Sequence, residues 1–290
     1  MTVIAKSSSA GLPITRFLWL DLTRKCQLAC THCYNSSGPD GGHGTMTRRD
    51  WLAVLDQAAA CGVRAVQFIG GEPTLHPDAP NLVAHALDLG INVEVYSNLV
   101  HVSTEWWRLF QRDGISLATS YYSDQAAEHN AITGRPSHAR TRANIEKAVS
   151  FGIPLRVGII ATDDAQRVTE ARRELEALGV TRIGLDHARP FGRASGGREP
   201  DPSGLCGNCG HGAVSVGPAG DVSPCVFSGW MAVGNVHDTS LAAILGGTAM
   251  ERVRASIRST ASQGICQPDI CEPDHWCKPG YPDSGCNPRY

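Results

Sequence analysis

No stretch of this 290-residue chain strings together the roughly 20 apolar residues that a membrane span needs. Its opening, MTVIAKSSSAGLPITRFLWL, lacks the apolar core and small-residue cleavage site of a secretion signal. Both absences point to the cytoplasm. A charge excess is missing too: 26 Lys plus Arg face 28 Asp plus Glu, a net charge of -2, so electrostatics offers no attraction to nucleic acid or to an anionic membrane. No repeat at solenoid periods is present. Cysteine is absent between Cys61 and Cys206, and that gap throws the rest of the distribution into relief. Of eleven cysteines, three crowd into CQLACTHCYN (Cys26, Cys30, Cys33) and seven (Cys206, Cys209, Cys225, Cys266, Cys271, Cys277, Cys286) lie in the last third. In a reducing compartment such clusters are better explained by metal than by disulfides.

The length admits one large or two modest domains. From residue 17 to about 187, short apolar runs alternate with amphipathic stretches. RFLWLDLT, AVQFIGG, INVEVYSN, ISLATSYY, LRVGIIAT and RIGLDHA read as six buried strands. Helical periods lie between them; in TRRDWLAVLDQAAACG, residues Trp51, Leu52, Leu55 and Ala58 share a face and Gly62 offers a cap. Such a βα alternation implies a parallel α/β sheet, and six units fall short of a complete eight-stranded barrel, leaving a partial barrel or an open sheet. The Gly-, Pro- and Arg-dense segment 188–204 reads as a linker. AVSVGPAGDVSPCVF reads as a β-hairpin turned at GPAG, and one short helix is expected at about 240–258. The tail, rich in Pro, Asp and Gly, has too little apolar surface for a core, so metal bonds would have to supply its folding energy.

Cys26, Cys30 and Cys33 directly follow the first strand, at the strand end where βα folds carry their chemistry. Three thiolates in one loop suit soft metals or iron–sulfur clusters; a closed zinc site wants four ligands. Three cysteines on a [4Fe-4S] cube leave one iron open to another ligand.

The spacing CxxxCxxC after a first strand resembles the motif of the radical S-adenosylmethionine superfamily, and residues 17–193 resemble its partial (β/α)6 barrel. The resemblance implies a [4Fe-4S] cluster on Cys26, Cys30 and Cys33 whose open iron chelates S-adenosylmethionine, cleavage to a 5′-deoxyadenosyl radical, and hydrogen abstraction from a substrate. It places His32 near the adenine. It equates GGEP (Gly70, Gly71, Glu72, Pro73) with the family's GGE motif, with Glu72 accepting from the methionine ammonium, and gives Ser97 and Asn98 to ribose or carboxylate. Ser120 resembles the serine of the family's SLDG segment, here SYYS, which makes Tyr122 a candidate for substrate contact; Arg156 is a candidate partner of the cofactor carboxylate. Asp21, Asp186 and Tyr121 also lie at inferred strand ends. Cys61 reads as a small buried hydrophobe, and His76, His85, His101 and His129 show no ligand spacing.

The C-terminal part resembles the SPASM or twitch domains that hold auxiliary iron–sulfur clusters: Cys206-x2-Cys209, then Gly220 and Cys225, with RPFGRA before them. The second block, Cys266-x4-Cys271-x5-Cys277-x8-Cys286, keeps only one interval of the family pattern. One or two auxiliary clusters follow, two being favoured, with zinc as the alternative. The expected organisation is a tail 1–16, a barrel 17–193, a linker 194–205 and a small cysteine-rich, cluster-binding domain 206–290. The implied activity is that of a radical oxidoreductase acting on a ribosomally made peptide by crosslinking, epimerisation or oxidation, with flavodoxin or ferredoxin as electron donor. A strand starting by residue 17 leaves no room for a built-in leader-recognition domain, which leaves both a separate recognition protein and a small-molecule substrate open. Dehydrogenation or rearrangement of a small molecule such as an aminocyclitol, and a non-catalytic iron–sulfur or zinc scaffold, are the rival readings.

Overall fold

The computed structural model describes residues 15–260. Six strands, β1 (Phe17–Asp21), β2 (Ala65–Ile69), β3 (Asn92–Tyr96), β4 (Ile115–Tyr121), β5 (Leu155–Ala161) and β6 (Arg182–His187), pair in parallel as neighbours in sequence order. They coincide with the six apolar runs because a strand covered on both faces needs apolar side chains at nearly every position. In β1 all five residues are buried: Leu18 and Leu20 enter the main core under the helices, while Phe17 and Trp19 enter a second apolar cluster with Phe191, Leu205, Cys209 and Cys225.

Six helices cover the outer face: α1 (Arg48–Ala60), α2 (Ala79–Asp88), α3 (Thr104–Phe110), α4 (Ala126–Thr133), α5 (His138–Ser150) and α6 (Val168–Ala177). Thr47 starts α1 with a reciprocal capping box: Thr47 Oγ1 accepts from the Asp50 amide, and the Asp50 carboxylate accepts from the Thr47 amide at 2.8 Å. The buried stripe of α1 is Trp51, Val54, Leu55 and Ala58; Leu52, expected in it, is only half-buried. Two helices, not one, connect β4 to β5.

The hairpin expected at GPAG is present as β7 (Ala213–Val216) and β8 (Asp221–Ser223), but it does not begin a separate sheet. β7 pairs in parallel with β1, and β8 and a two-residue β9 (Gly234–Asn235) follow antiparallel, giving one open nine-stranded sheet in the order β6-β5-β4-β3-β2-β1-β7-β8-β9. The segment read as a linker is ordered by packing: Phe191 is buried, and 3₁₀ turns form at Gly192–Ser195 and Pro202–Gly204. The single helix expected at 240–258 is two, α7 (Leu241–Leu245) and α8 (Thr248–Thr260), because Gly246 and Gly247 interrupt the period. Among the described residues no helix is long and apolar enough to cross a membrane.

Candidate functional site

The C-terminal ends of the parallel strands surround one cavity. Its wall contains Cys26, Cys30 and Cys33 with His32 and Tyr34 from the loop after β1, Gly70 and Gly71 after β2, Tyr96 and Asn98 from the end of β3, and Ser120 and Tyr122 from the end of β4. His129 and Thr133 on α4, Asp186 to Arg189 after β6, Arg193, Val226 and Phe227 complete it.

Each cysteine is held by a different element. Cys26 donates its amide to Gly38 O at 3.0 Å, and its Sγ receives Asn98 Nδ2 at 3.6 Å and the Leu28 amide at 3.4 Å. The residues either side of Cys30 are tied to the end of α4, Ala29 N donating to Thr133 O at 3.1 Å and Thr31 N to Ile132 O at 2.9 Å. Cys33 is held from the segment after β6, where the Arg193 amide donates to its carbonyl at 3.0 Å; the Cys33 thiol donates to Asn35 Oδ1 at 3.0 Å.

The GGEP glycines serve a close approach, but the partner is the cysteine loop itself. Gly71 N donates to Thr23 O at 2.7 Å and Glu72 N to Lys25 O at 2.8 Å; a Cβ at Gly70 would meet Thr23 O at 2.6 Å and one at Gly71 would meet Lys25 O at 2.3 Å. Gly70 also holds φ +135, where a side chain is strained. Glu72 is fully buried behind this wall. Its carboxylate receives Asn98 N at 2.8 Å, Thr74 N at 3.1 Å and Thr74 Oγ1 at 2.7 Å, and burial pushes its pKa up against those hydrogen bonds. Glu72 thus bridges the ends of β2 and β3. Ser97 lies in the same layer, receiving the Leu99 amide at 3.1 Å, and like Glu72 is not part of the cavity wall.

Arg156 is the sequence-derived site residue that the structure draws away. It is the second residue of β5, at the strand end opposite the cavity, and is 1% exposed. Its Nε and Nη2 each donate to Glu94 at 2.8 Å, and Glu94 also receives Gln67 Nε2. A guanidinium committed to a buried carboxylate in this layer does not reach a ligand at the other end. Tyr121 likewise faces the helices, donating to Glu174 Oε2 at 2.7 Å, with His138 Nε2 2.8 Å from its hydroxyl. Asp186 does face the cavity, paired with Arg189 Nη2 at 3.2 Å, whereas Asp21 binds Arg24 beside a second, polar cavity.

One side of the wall is aromatic. The His32 and Tyr122 rings meet edge to face at 5.1 Å, and Tyr122 and His129 at 5.2 Å. Burial pushes the Tyr122 hydroxyl well up, and burial with the nearby Arg193 charge lowers His32 to about 4. His129 is 1% exposed, hydrogen-bonds the Ser123 backbone, and has a buried Nδ1 with no partner among the described residues; burial, then His138, lowers it to about 3. Sequence reasoning set His129 aside for want of ligand spacing, and only the fold brings it beside Tyr122. Arg189 and Arg193 were missed as side chains, although RPFGRA contained both. His85 pairs with Asp56 at the surface, and the His76 ring meets His43 edge to face at 5.1 Å.

The three N-terminal thiols fit a multi-iron cluster. Burial, then the Glu72 charge, pushes Cys26 up to about 12, and burial, then Cys33, pushes Cys30 up to about 12, so ionising them together calls for positive charge in the cavity. Among the described residues no three His, Cys, Asp or Glu side chains gather closely enough to hold a single metal ion. A second thiol group lies near Phe191 and Phe227. Cys209 Sγ donates to Cys225 Sγ at 3.3 Å and interacts with Cys206, and sharing a proton among these thiols pushes Cys206 and Cys225 down while Cys209 is pushed well up. Cys266, Cys271, Cys277 and Cys286 lie outside the described residues.

Comparisons with known proteins agree with this geometry. A family profile described as the radical SAM superfamily matches residues 20–183, and one described as the SPASM iron–sulfur cluster-binding domain matches residues 206–272. A PqqA peptide cyclase of Streptomyces rochei is 29% identical over 178 residues, covering 60% of this chain and 48% of the relative. The chain spans about half the length of the first curated relatives it matches. Streptococcus suis SuiB bound to its precursor peptide SuiA shares the fold at 15% identity and TM-score 0.71, covering 94% of this chain and 76% of SuiB. The structure of anSMEcpe with AdoMet and the Cp18Cys peptide does so at 14% identity and TM-score 0.63, covering 81% of each chain.

Proposed function

Because this chain belongs to the radical S-adenosylmethionine superfamily, we propose that it is an enzyme that reductively cleaves S-adenosylmethionine and modifies a ribosomally made peptide. The observation that carries the reading is the single cavity into which Cys26, Cys30, Cys33, Gly70, Gly71 and Asn98 converge. When bound, the [4Fe-4S] cluster and S-adenosylmethionine supply an electron and a 5′-deoxyadenosyl radical that removes a hydrogen atom from the substrate.

The chain's own residues hold, orient and exclude water. Cys26, Cys30 and Cys33 supply the thiolates, and Asn98 Nδ2 donates to the Cys26 sulfur, a bond of the kind that tunes a cluster. His32, Gly70, Gly71, Asn98 and Ser120 line the space we assign to the cofactor, with Glu72 and Ser97 behind them fixing Asn98 and its neighbours. Tyr122 and His129 close the apolar side against water, as hydrogen transfer between positioned partners requires. Tyr122 is the residue we assign to substrate contact.

The peptide substrate is supported by relatives named PqqA peptide cyclases and by SuiB in complex with its precursor peptide, and those cyclases favour a crosslink as the outcome. We assign Cys206, Cys209, Cys225, Cys266, Cys271, Cys277 and Cys286 to auxiliary clusters, two being favoured, on a domain from 206 to 290 that follows the barrel of 17–193. Flavodoxin or ferredoxin as donor, a separate peptide-recognition protein and a cytoplasmic location complete the proposal. The test is direct: reconstitute the clusters anaerobically, add dithionite and S-adenosylmethionine, and assay 5′-deoxyadenosine. Its formation by the wild type and its loss in Cys30→Ala are expected; zinc in place of iron, or no 5′-deoxyadenosine, refutes the reading.

A further inference from the structure

Arg193 lies in the segment that composition marks as a linker, 160 residues beyond the third cysteine of the loop, yet it makes three bonds to that loop. Its Nε donates to Cys30 O at 2.6 Å, its Nη2 to Ser37 O at 2.8 Å, and its amide to Cys33 O at 3.0 Å. The same carbonyls also close the loop's own turns, Cys30 O receiving Cys33 N at 3.3 Å and Cys33 O receiving Ser36 N at 3.2 Å. Gly192 makes this reach feasible: at φ +55 it lies so close that a Cβ there would meet Cys33 O and Tyr34 O, both at 2.4 Å. Phe191 anchors the other side of the segment in the apolar cluster that contains Trp19, Cys209 and Cys225.

We propose that Arg193 is a positioning residue that latches the loop of Cys30 to Ser37 into its ligating shape before iron arrives, and so governs cluster retention. The fork of a guanidinium suits the task, because two of its rigidly disposed N–H groups reach two carbonyls seven residues apart while the Arg193 backbone takes a third between them. Without the latch, the loop keeps its backbone ties at Gly38, Thr133 and Ile132 and its internal bonds to Asn35 Oδ1 from Cys33 Sγ, Ser37 N and Ser37 Oγ, but it loses the two guanidinium bonds that tie Cys30 and Ser37 to the segment after β6. The guanidinium also brings a positive charge to the cysteine loop, which favours the reduced, more negative cluster. That electrostatic part rests on the proposed function; the mechanical part does not.

The test uses the full chain carrying Arg193→Lys, which keeps the charge and loses the fork, and Arg193→Gln, which loses both. In the iron-free, reduced protein, hydrogen exchange at the Cys33 and Ser36 amides is expected to quicken about tenfold in both variants, with the β3 and β4 amides unchanged. After reconstitution, both variants should release iron to a chelator several-fold faster than wild type, and only Arg193→Gln should shift the midpoint potential of the N-terminal cluster downward. Unchanged local exchange together with wild-type iron release overturns the latch. If Arg193→Gln loses protection throughout, Arg193→Lys decides alone, and if wild type takes up no iron, the proposed function fails while the exchange measurement still judges the latch. A role confined to general stability would raise exchange across the sheet equally and would also overturn it.

Discussion

Replacing Arg156 with Met is the sharpest probe of where the sheet's buried charged layer ends and the space proposed for the cofactor begins. Arg156 and Glu94 are 1% and 8% exposed at the side chain, and two N–H groups of the guanidinium each meet the carboxylate at 2.8 Å. Removing this cation takes two charge-assisted bonds from the buried Glu94 carboxylate, and breaking a buried pair in this way costs about 3–5 kcal/mol. With a urea slope of about 3 kcal/mol per M for a chain of this size, the unfolding midpoint should fall by about 1–1.7 M. Glu94→Gln in the Arg156→Met background removes the stranded charge, so the double variant should recover stability, with a coupling of about 2 kcal/mol. Urea unfolding of the iron-free, reduced protein, followed by circular dichroism, measures all four corners of the cycle. S-adenosylmethionine affinity of the reconstituted Arg156→Met protein should stay near wild type. A stability loss below about 1 kcal/mol accompanied by a large loss of affinity would refute the reasoning and return Arg156 to the cofactor.

Glu72→Ala strands the Asn98 and Thr74 donors, so it should cost about 2–4 kcal/mol in thermal unfolding and weaken S-adenosylmethionine binding in calorimetry while iron content persists; wild-type turnover would contradict this. His129 titrates near 6.5 when unfolded and about 3 when folded, so between those values the unfolded chain binds the extra proton and stability falls as pH falls. That contribution has a slope approaching about 1.4 kcal/mol per pH unit, and His129→Gln should remove it from the acid limb of a denaturation profile while leaving the neutral limb alone. Tyr122→Phe retains the ring against His32 and His129, so substrate-free formation of 5′-deoxyadenosine should persist while peptide product falls at least tenfold by mass spectrometry; equal product yields would exclude a role for the hydroxyl.

The strands were legible because burial on both faces writes itself as continuous apolar runs, and the cysteine loop because its spacing is local. What escaped was set by tertiary contact. Arg193 carries no periodic signal, and its order comes from carbonyls on a loop far away in sequence. His129 reaches the cavity only because α4 turns back over the end of β4. Arg156 misled because a strand-borne arginine was matched to a site without asking which strand end it occupies; its place as the second residue of LRVGIIA already put it at the far end. In α1 the stripe at 51, 54, 55 and 58 follows the helical period closely, so Val54 displaced Leu52.

The pairing of β7 with β1 has a bearing on how this molecule can be divided. Without the hairpin, β1 would be the outermost strand on its side of the sheet, offering a row of bare amide and carbonyl groups flanked by Phe17, Leu18, Trp19 and Leu20. Such a margin is adhesive, because its one charged member, Asp21, sits at the strand end and is already bound to Arg24. A chain cut at the apparent boundary near Leu205 would therefore clump rather than yield a tidy N-terminal half, so the hairpin shields the sheet whatever else the C-terminal part does.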